Sequence, residues 1–130
     1  MLIDYQDSRP IYEQIVEHYK KLILKGAMVP DEQMPSVRSL AVELATNPNT
    51  VQKAMAELER QGFVYTVKGR GSFVADNRML VGAKRDEIVS TILLLMHEAE
   101  EIGLKQEDIR AAVLDGLKEA EKGNTKEIQI

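Results

Sequence analysis

Two short polar stretches in the first half of this chain carry side chains suited to hydrogen bonding and to binding anions. The first, "NPNTVQK", runs from Asn47 to Lys53, and the second, "KGRG", runs from Lys68 to Gly71. Amide and hydroxyl side chains can hydrogen-bond to base edges, while lysine and arginine can bind phosphate or the acceptor atoms of guanine. These residue types suit recognition of a nucleic acid, provided that the fold presents both stretches on one surface.

Residues that could carry out catalysis are scarce. The chain has no Cys, which removes disulfides, thiolate metal ligands and cysteine nucleophiles together. His18 and His97 are its two histidines, and both suit solvated or partly packed positions on helices rather than a metal site. The Gly-Arg-Gly turn lacks the spacing and the strand-to-helix context of a phosphate loop. We therefore expect no catalytic residue, no metal and no cofactor, and the chain is not predicted to be an enzyme.

Length and hydropathy place the chain among small globular proteins. Its 130 residues are enough for one ordinary domain, or for a small domain with an appendage. No apolar run approaches the ~18 residues that a membrane span needs, and the N-terminus lacks the pattern of a signal peptide. We expect a cytoplasmic protein with no membrane partner.

The charge of the chain is unevenly distributed. Residues 1–78 carry ten Lys or Arg and ten Asp or Glu, whereas residues 79–130 carry seven against eleven, so the net charge of −4 lies in the second part. Residues 52–78 are locally basic, with five basic and three acidic side chains. The overall acidity argues against promiscuous binding to nucleic acid, but it allows a focused contact patch.

Hydrophobic periodicity indicates which elements would position the polar stretches. A first helix is predicted after Asp7 or Ser8, either of which could cap it, with Pro10 near its first turn and Gly26 at its end. Its apolar face would comprise Ile11, Ile15, Tyr19, Leu22 and Ile23.

Two further helices are predicted to form a helix-turn-helix. Ser36 would cap the second helix. Thr46 or Asn47 would cap the third, which would have Pro48 at its first position and Gly62 just after its end. Two short helices joined by a tight turn are typical of this motif. The inward positions would be Val37, Leu40, Ala41 and Leu44 in the second helix, and Val51, Ala54, Met55 and Leu58 in the third.

Two stretches rich in β-branched and aromatic residues, "FVYTV" and "SFVA", flank the second polar stretch. Gly69 and Gly71 can take positive φ, so the sequence predicts a β-hairpin directly after the third helix. A helix-turn-helix followed by such a hairpin is a winged helix. The predicted fold is therefore mainly α with a small β-hairpin, and residues 1–78 would form an N-terminal winged helix-turn-helix domain.

Residues 79–130 are predicted to form a short C-terminal segment of two helices. The first carries an apolar stripe, Gly103 ends it, and the second would turn Ile109, Ala112, Val113 and Leu117 inward. Two helices of this size cannot bury so wide an apolar surface alone, so we expect a homodimer. The residues expected at the dimer contact are Ile88, Ile92, Leu95, Met96, Ile109 and Val113.

Judged by residue types alone, each polar feature also has a purely structural interpretation. The third helix could be a capped surface helix with ordinary polar cover, and the glycine turn could be a solubilising hairpin. Arg38 lies near the positive end of the second helix, which is unfavourable by a few tenths of a kcal/mol unless an anion binds there. The alternative for Arg38 is a surface ion pair with Glu43 or Asp31.

Three blocks, "PIYEQI", "MPSVRSLAVEL" and "NPNTVQKAMAELERQGFVYTVKGRGSFV", occur in an order that resembles the N-terminal domain of GntR-type bacterial transcriptional regulators. The resemblance covers about residues 8–74. The short tail resembles that of the YtrA subfamily, which has a small helical dimerisation unit and no room for the larger ligand-binding domains of other branches. The resemblance implies a sequence-specific DNA-binding regulator, expected to be a repressor, that binds a two-fold symmetric operator as a homodimer.

The resemblance also implies which residues contact double-stranded DNA. Pro48 departs from branches that place a base-reading Arg there, so their base preference does not transfer to this chain. An unidentified small-molecule effector is compatible with this function. The alternative function is a winged-helix module that binds protein without sequence-specific DNA binding. The DNA-binding positions carried over from the family are Ser36, Arg38, Asn47, Pro48, Asn49, Thr50, Gln52, Lys53, Lys68, Gly69 and Arg70.

Overall fold

A computed structural model describes residue 1 and residues 3–123 of the chain. The end of the predicted tail, residues 124–130, lies outside the described residues. The chain divides into two compact units, and the boundary along the sequence lies between Lys84 and Arg85. The prediction of a mainly helical fold with one hairpin is confirmed. In chain order the elements are α1 (Ile11–Leu24), α2 (Val37–Glu43), α3 (Pro48–Arg60), β1 (Val64–Val67), β2 (Gly71–Val74), α4 (Arg78–Glu101) and α5 (Gln106–Lys122).

Helix α3 lies at the centre of the first unit, where it packs against α1, α2 and β1. All four of its predicted inward residues are buried, because their spacing places them on one face of the helix. Burying a side chain of this size contributes roughly 1.5–3 kcal/mol, so the shared core fixes how the three helices sit against each other. The largest fully buried side chains are Ile15, Ile23, Leu40, Val51, Leu58 and Val74.

Helix α1 begins differently from the prediction. Neither Asp7 nor Ser8 caps it; the N-cap position is Pro10, and no side chain makes a capping hydrogen bond there. The buried amide of Gln14 ties down the preceding segment instead. Its Nε2 donates to the carbonyl oxygen of Asp4 and its Oε1 accepts from the Asp4 N–H, both at 3.0 Å. A tertiary hydrogen-bonded pair thus replaces the local cap.

The boundaries of α2 and α3 follow the prediction. Ser36 caps α2 by accepting a hydrogen bond from the backbone N–H of Ser39 at 3.1 Å. Asn47 caps α3, and Pro48 is its first helical residue. Gly62 follows the end of α3 with φ of +85°, a conformation that glycine adopts without steric cost.

The hairpin is antiparallel, and its register pairs Val64 with Val74 and Val67 with Gly71. The backbone N–H of Arg70 donates to the carbonyl oxygen of Val67 at 2.9 Å and closes the turn. Gly69 and Gly71 have φ of +81° and +112°, as the sequence predicts. The glycines therefore allow a tight tip that carries Lys68 and Arg70 at its surface.

The second unit leaves its apolar side chains exposed. Within the described residues, α4 and α5 contain no buried residue, and the two helices do not pack along each other. A single chain therefore does not bury Ala112, Val113 and Leu117 as predicted, because α4 and α5 give each other little cover. Among the six residues expected at the dimer contact, the least exposed are Met96 and Ile109, which are half-buried. The other four are exposed: Ile88, Ile92, Leu95 and Val113.

Candidate nucleic-acid interface

Three separate pieces of the first unit present the predicted contact residues to solvent. These are the start of α2, the turn and first part of α3, and the tip of the hairpin. Thr50 is half-buried. The remaining ten positions are exposed: Ser36, Arg38, Asn47, Pro48, Asn49, Gln52, Lys53, Lys68, Gly69 and Arg70.

A cleft of about 260 Å³ lies between these three pieces. Pro35 and Val37 line it from the start of α2, Gln52 lines it from α3, and Gly71 and Ser72 line it from the hairpin. Of the predicted contact residues, Gln52 reaches the cleft itself, whereas Ser36 and Arg70 are chain neighbours of residues that do. The fold therefore brings the start of α2, the exposed side of α3 and the hairpin to one depression.

The backbone N–H groups in the first turn of α3 already have acceptors. Pro48 has no N–H, and the Asn49 N–H donates to the side-chain Oδ1 of Asn47 at 2.8 Å. The N–H groups of Thr50 and Val51 donate to the Asn47 carbonyl oxygen at 2.9 and 3.3 Å. Phosphate binding by a helix N-terminus requires free N–H groups. Residues 48–51 offer none, so these four residues can bind phosphate only through their side chains.

Arg38 is exposed in the first turn of α2, which contains no acidic residue. Its guanidinium makes no hydrogen bond or ion pair with any residue that the structure describes. The alternative of an ion pair with Glu43 or Asp31 is therefore wrong. The Asp31 carboxylate instead accepts a hydrogen bond from the hydroxyl of Tyr65 at 2.7 Å. Arg38 consequently keeps all its donors available for an anion.

Lys53 turns away from the cleft and towards α1. Its Nζ lies 4.0 Å from the centroid of the Tyr12 ring, within the range of a cation–π contact. The structure therefore places its ammonium at the edge of the surface formed by α3. Tyr12 was missed by sequence reasoning, because it lies off the apolar face of α1 and carries no motif of its own.

Two opposite charges at the C-terminal end of α3 pair with each other. Arg60 forms an ion pair with Glu57, in which its Nε lies 2.9 Å from the carboxylate Oε2, and the Gln61 amide donates to the same carboxylate at 2.8 Å. The bond from Arg60, followed by that from Gln61, lowers the pKa of Glu57 to about 2. This end of α3 thus differs from its first turn, where the polar side chains are exposed.

Residues 31–34, just before α2, hydrogen-bond along the free edge of β2. The N–H of Asp31 donates to the carbonyl of Val74 at 2.7 Å, and the N–H of Met34 donates to the carbonyl of Ser72 at 2.8 Å. A β-bridge also joins Gln33 to Phe73. The sequence gives no strand signal for this stretch, since it lies between two prolines and lacks the alternation of a strand. The edge pairing connects the hairpin directly to the start of α2.

Comparison with known proteins gives a consistent result. The profile of the bacterial regulatory proteins of the gntR family matches residues 11–74. The HTH-type transcriptional repressor YtrA of Bacillus subtilis (strain 168) is 43% identical over 109 residues, covering 82% of this chain and 84% of that protein. The crystal structure of a transcriptional regulator from Oenococcus oeni shares 32% identity and a TM-score of 0.73, covering 90% and 97% of the two chains. AraR(DBD), solved in complex with operator ORE1, shares 32% identity and a TM-score of 0.51, covering 55% and 88%.

A helix-turn-helix with a hairpin wing and an exposed polar third helix defines a DNA-binding transcriptional regulator of the winged-helix class. The chain belongs to the GntR family of bacterial regulatory proteins. Its similarity to YtrA over most of both chains assigns it to the YtrA subfamily. As a member of a family of regulators, it is not an enzyme. None of the helices in the described residues has the length and apolarity needed to cross a membrane.

Proposed function

We propose that this protein is a cytoplasmic repressor that binds a two-fold symmetric operator as a homodimer. The observation that carries the proposal is the cleft at which the start of α2, the exposed side of α3 and the hairpin meet. A helix-turn-helix inserts its second helix into the major groove, and a basic hairpin beside it can follow the phosphate backbone. The names of YtrA and AraR(DBD) support the repressor and operator parts of the proposal.

The candidate residues divide into base readers and phosphate contacts. Asn49, Thr50 and Gln52 would read base edges from α3, and Arg38 would add a guanidinium with five donors. Pro48 can contact a thymine methyl group or a sugar, although it donates no hydrogen bond. The backbone contacts would come from Ser36, Asn47, Lys53, Lys68, Gly69 and Arg70, with Asn47 also holding the cap of α3.

The exposed apolar residues of the second unit support the homodimer. Ile92 and Leu95 on α4 are 53% and 57% exposed, and Val113 on α5 is 55% exposed. Monomeric proteins rarely leave an apolar surface of this kind uncovered. A dimer related by a two-fold axis would cover it and would present two recognition helices to half-sites about 34–36 Å apart. An effector that changed the spacing of the two recognition helices in the dimer would thereby change operator affinity.

Fluorescence anisotropy tests the operator proposal directly. Genomic fragments retained by the protein would supply the candidate operator, and a scrambled duplex of equal length and composition would be the control at the same salt concentration. We expect binding to the operator to be at least about 1,000-fold tighter, as for specific regulators in general. Equal affinity for both duplexes would instead favour the protein-interaction alternative.

Sedimentation at micromolar concentration tests the dimer proposal. We expect a dimer for the unaltered chain and a monomer for Ile92→Asp, since a carboxylate would be buried without a partner at the contact. Met79→Asp on the same helix is the matched control, because Met79 is 88% exposed and is not among the predicted contact residues. A monomeric unaltered chain would contradict the proposal.

A shortened chain separates DNA binding from dimerisation. It should end at Lys84, because Leu80 packs against the core of the first unit and has to be retained. We expect this chain to fold and to bind the operator much more weakly, since the two half-sites of the operator are no longer bound by two DNA-binding units joined in one dimer. Operator affinity equal to that of the full chain would contradict a role for the tail in binding.

A further inference from the structure

The tip of the hairpin is held by a side chain from outside the hairpin. The Nε2 of Gln33 donates to the carbonyl oxygen of Arg70 at 2.9 Å, and the two residues are 37 positions apart in the sequence. Gln33 belongs to the segment of residues 31–34 that pairs with β2, but this side-chain bond reaches past the main-chain pairing to the turn itself. The backbone carbonyl of Arg70 is thereby held by Gln33, a residue that belongs to no sequence motif.

Gly71 shows how closely Gln33 approaches the tip. A Cβ atom at residue 71 would lie 3.2 Å from Nε2 of Gln33, closer than most real Cβ contacts, and φ at Gly71 is +112°. The backbone conformation therefore favours glycine there, and a Cβ would press on the Gln33 amide. On β1, the hydroxyl of Tyr65 donates to Asp31 at 2.7 Å, so the segment that carries Gln33 is itself anchored to the hairpin.

We propose that Gln33 is a positioning residue for the wing, holding the turn of Lys68, Gly69 and Arg70 in the geometry that contacts the DNA backbone. This inference rests on the proposed role of the wing in operator binding. The base of the hairpin is held by the core and by residues 31–34, but without the Gln33 bond the tip would keep only its own turn and strand bonds and would sample several positions. Ordering the tip on binding would then cost affinity. The Gln33 amide orders the tip in the free protein, so this cost is smaller when DNA binds.

The position of Gln33 also couples the wing to helix α2. Met34 and Pro35 alone separate Gln33 from Ser36, the N-cap of α2, and Arg38 follows two residues later. A bond from Gln33 to the wing tip therefore fixes the wing relative to the start of α2. Loss of this bond should release the wing while leaving the main-chain pairing of residues 31–34 in place.

Substitution of Gln33 by Met tests the proposal, because Met has a similar length and no N–H donor. Operator affinity and its salt dependence would be measured with the full chain by anisotropy. We expect Gln33→Met to weaken binding about three- to tenfold and to leave the salt slope unchanged, because the wing cations still reach the phosphates but the tip becomes ordered only on binding. Gln61→Met is the matched control: it removes the amide that bonds Glu57 at the far end of α3 and should leave both quantities unchanged.

Testing Gln33→Met in a variant without the wing cations distinguishes a positioning role of Gln33 from a direct contact between Gln33 and DNA. In Lys68→Ala/Arg70→Ala, which lacks the wing cations, Gln33→Met should cause no further loss. If the full loss persists in that background, Gln33 contacts DNA itself and the proposal is overturned. Unchanged affinity of Gln33→Met in the unaltered background would overturn it as well. Normal affinity of the wing variant alone would show that the wing makes no contact, which contradicts this inference but not operator binding by α2 and α3.

Hydrogen exchange supplies a measurement that does not depend on DNA. We expect the amide N–H of Arg70, which closes the turn, to lose protection in Gln33→Met, while the amide of Val74 in the strand pairing keeps its protection. Equal protection of Arg70 in both proteins would contradict a positioning role, and a uniform loss across the first unit would assign Gln33 to general stability instead.

Discussion

Replacement of Arg38 by Ala should change operator binding and protein stability in opposite directions. The guanidinium has no partner in the described part of the chain, so its removal breaks no intramolecular contact. It also removes a cation from the positive end of α2, which should raise the free energy of unfolding by a few tenths of a kcal/mol. A charge-assisted contact to a base is worth about 1–3 kcal/mol, so operator affinity should fall about 5- to 150-fold for each half-site that Arg38 contacts.

Two assays on the same variant separate these effects. Urea unfolding gives the free energy of unfolding, and anisotropy at fixed salt gives operator affinity, measured also with single base changes in the half-site. Arg60→Ala is the matched control, since it makes the same change in net charge while Arg60 lies at the opposite end of α3 from the first turn. We expect Arg60→Ala to alter operator affinity by less than about threefold, through long-range attraction alone.

Two results for Arg38→Ala would refute this reasoning. Operator affinity equal to that of the unaltered chain would show that Arg38 makes no DNA contact. A fall of more than about 1 kcal/mol in the free energy of unfolding would show that Arg38 stabilises the fold, contrary to its lack of partners. Relaxed discrimination at one base position would identify the base that Arg38 reads.

Two further predictions concern the fold. Gly62→Ala should lower the free energy of unfolding, measured in urea, by about 1–2 kcal/mol, because φ there is +85°. A Cβ would meet nothing closer than 4.0 Å, so the effect would come from the backbone conformation alone. Gly82→Ala, inside α4, should instead raise the free energy of unfolding by about 0.5–1 kcal/mol, and equal effects of the two substitutions would contradict the backbone argument. The Glu57 carboxyl should titrate near 2 by NMR, and Arg60→Ala should move its pKa towards 4.5. The stabilising effect of this lowered pKa is present above about pH 4.5 and is lost as the pH falls through about 2; an unchanged titration in Arg60→Ala would exclude Arg60 as the cause.

Features set by neighbouring residues were predictable from the sequence. The caps at Ser36 and Asn47, the stop at Gly62 and the glycine turn of the hairpin each depend on a few adjacent positions. The buried face of α3 follows from helical spacing alone. Since the helix-turn-helix and the wing are built from such local signals, most of the candidate interface could be placed before any coordinates were known.

Features that join distant parts of the chain were not predictable. The contact of Lys53 with Tyr12 depends on how α1 packs against α3, and the bond from Gln33 to Arg70 spans 37 positions. A polar residue that meets its partner only after folding leaves no periodic signal in the sequence. The start of α1 shows the same limit, because Gln14 replaces the expected local cap through a bond to the preceding segment.

The occupied first turn of α3 has a consequence for how this regulator can evolve. Backbone groups bind phosphate whatever the side chains are, so a helix that used them would keep part of its DNA contact through any substitution. Here Asn47 takes up the backbone donors, and Pro48 removes one. Changes at exposed Asn49 or Gln52 would therefore alter the preferred operator while leaving the helix intact. A duplicated gene could acquire a separate set of target promoters through a few such substitutions, with little cross-binding to the old ones.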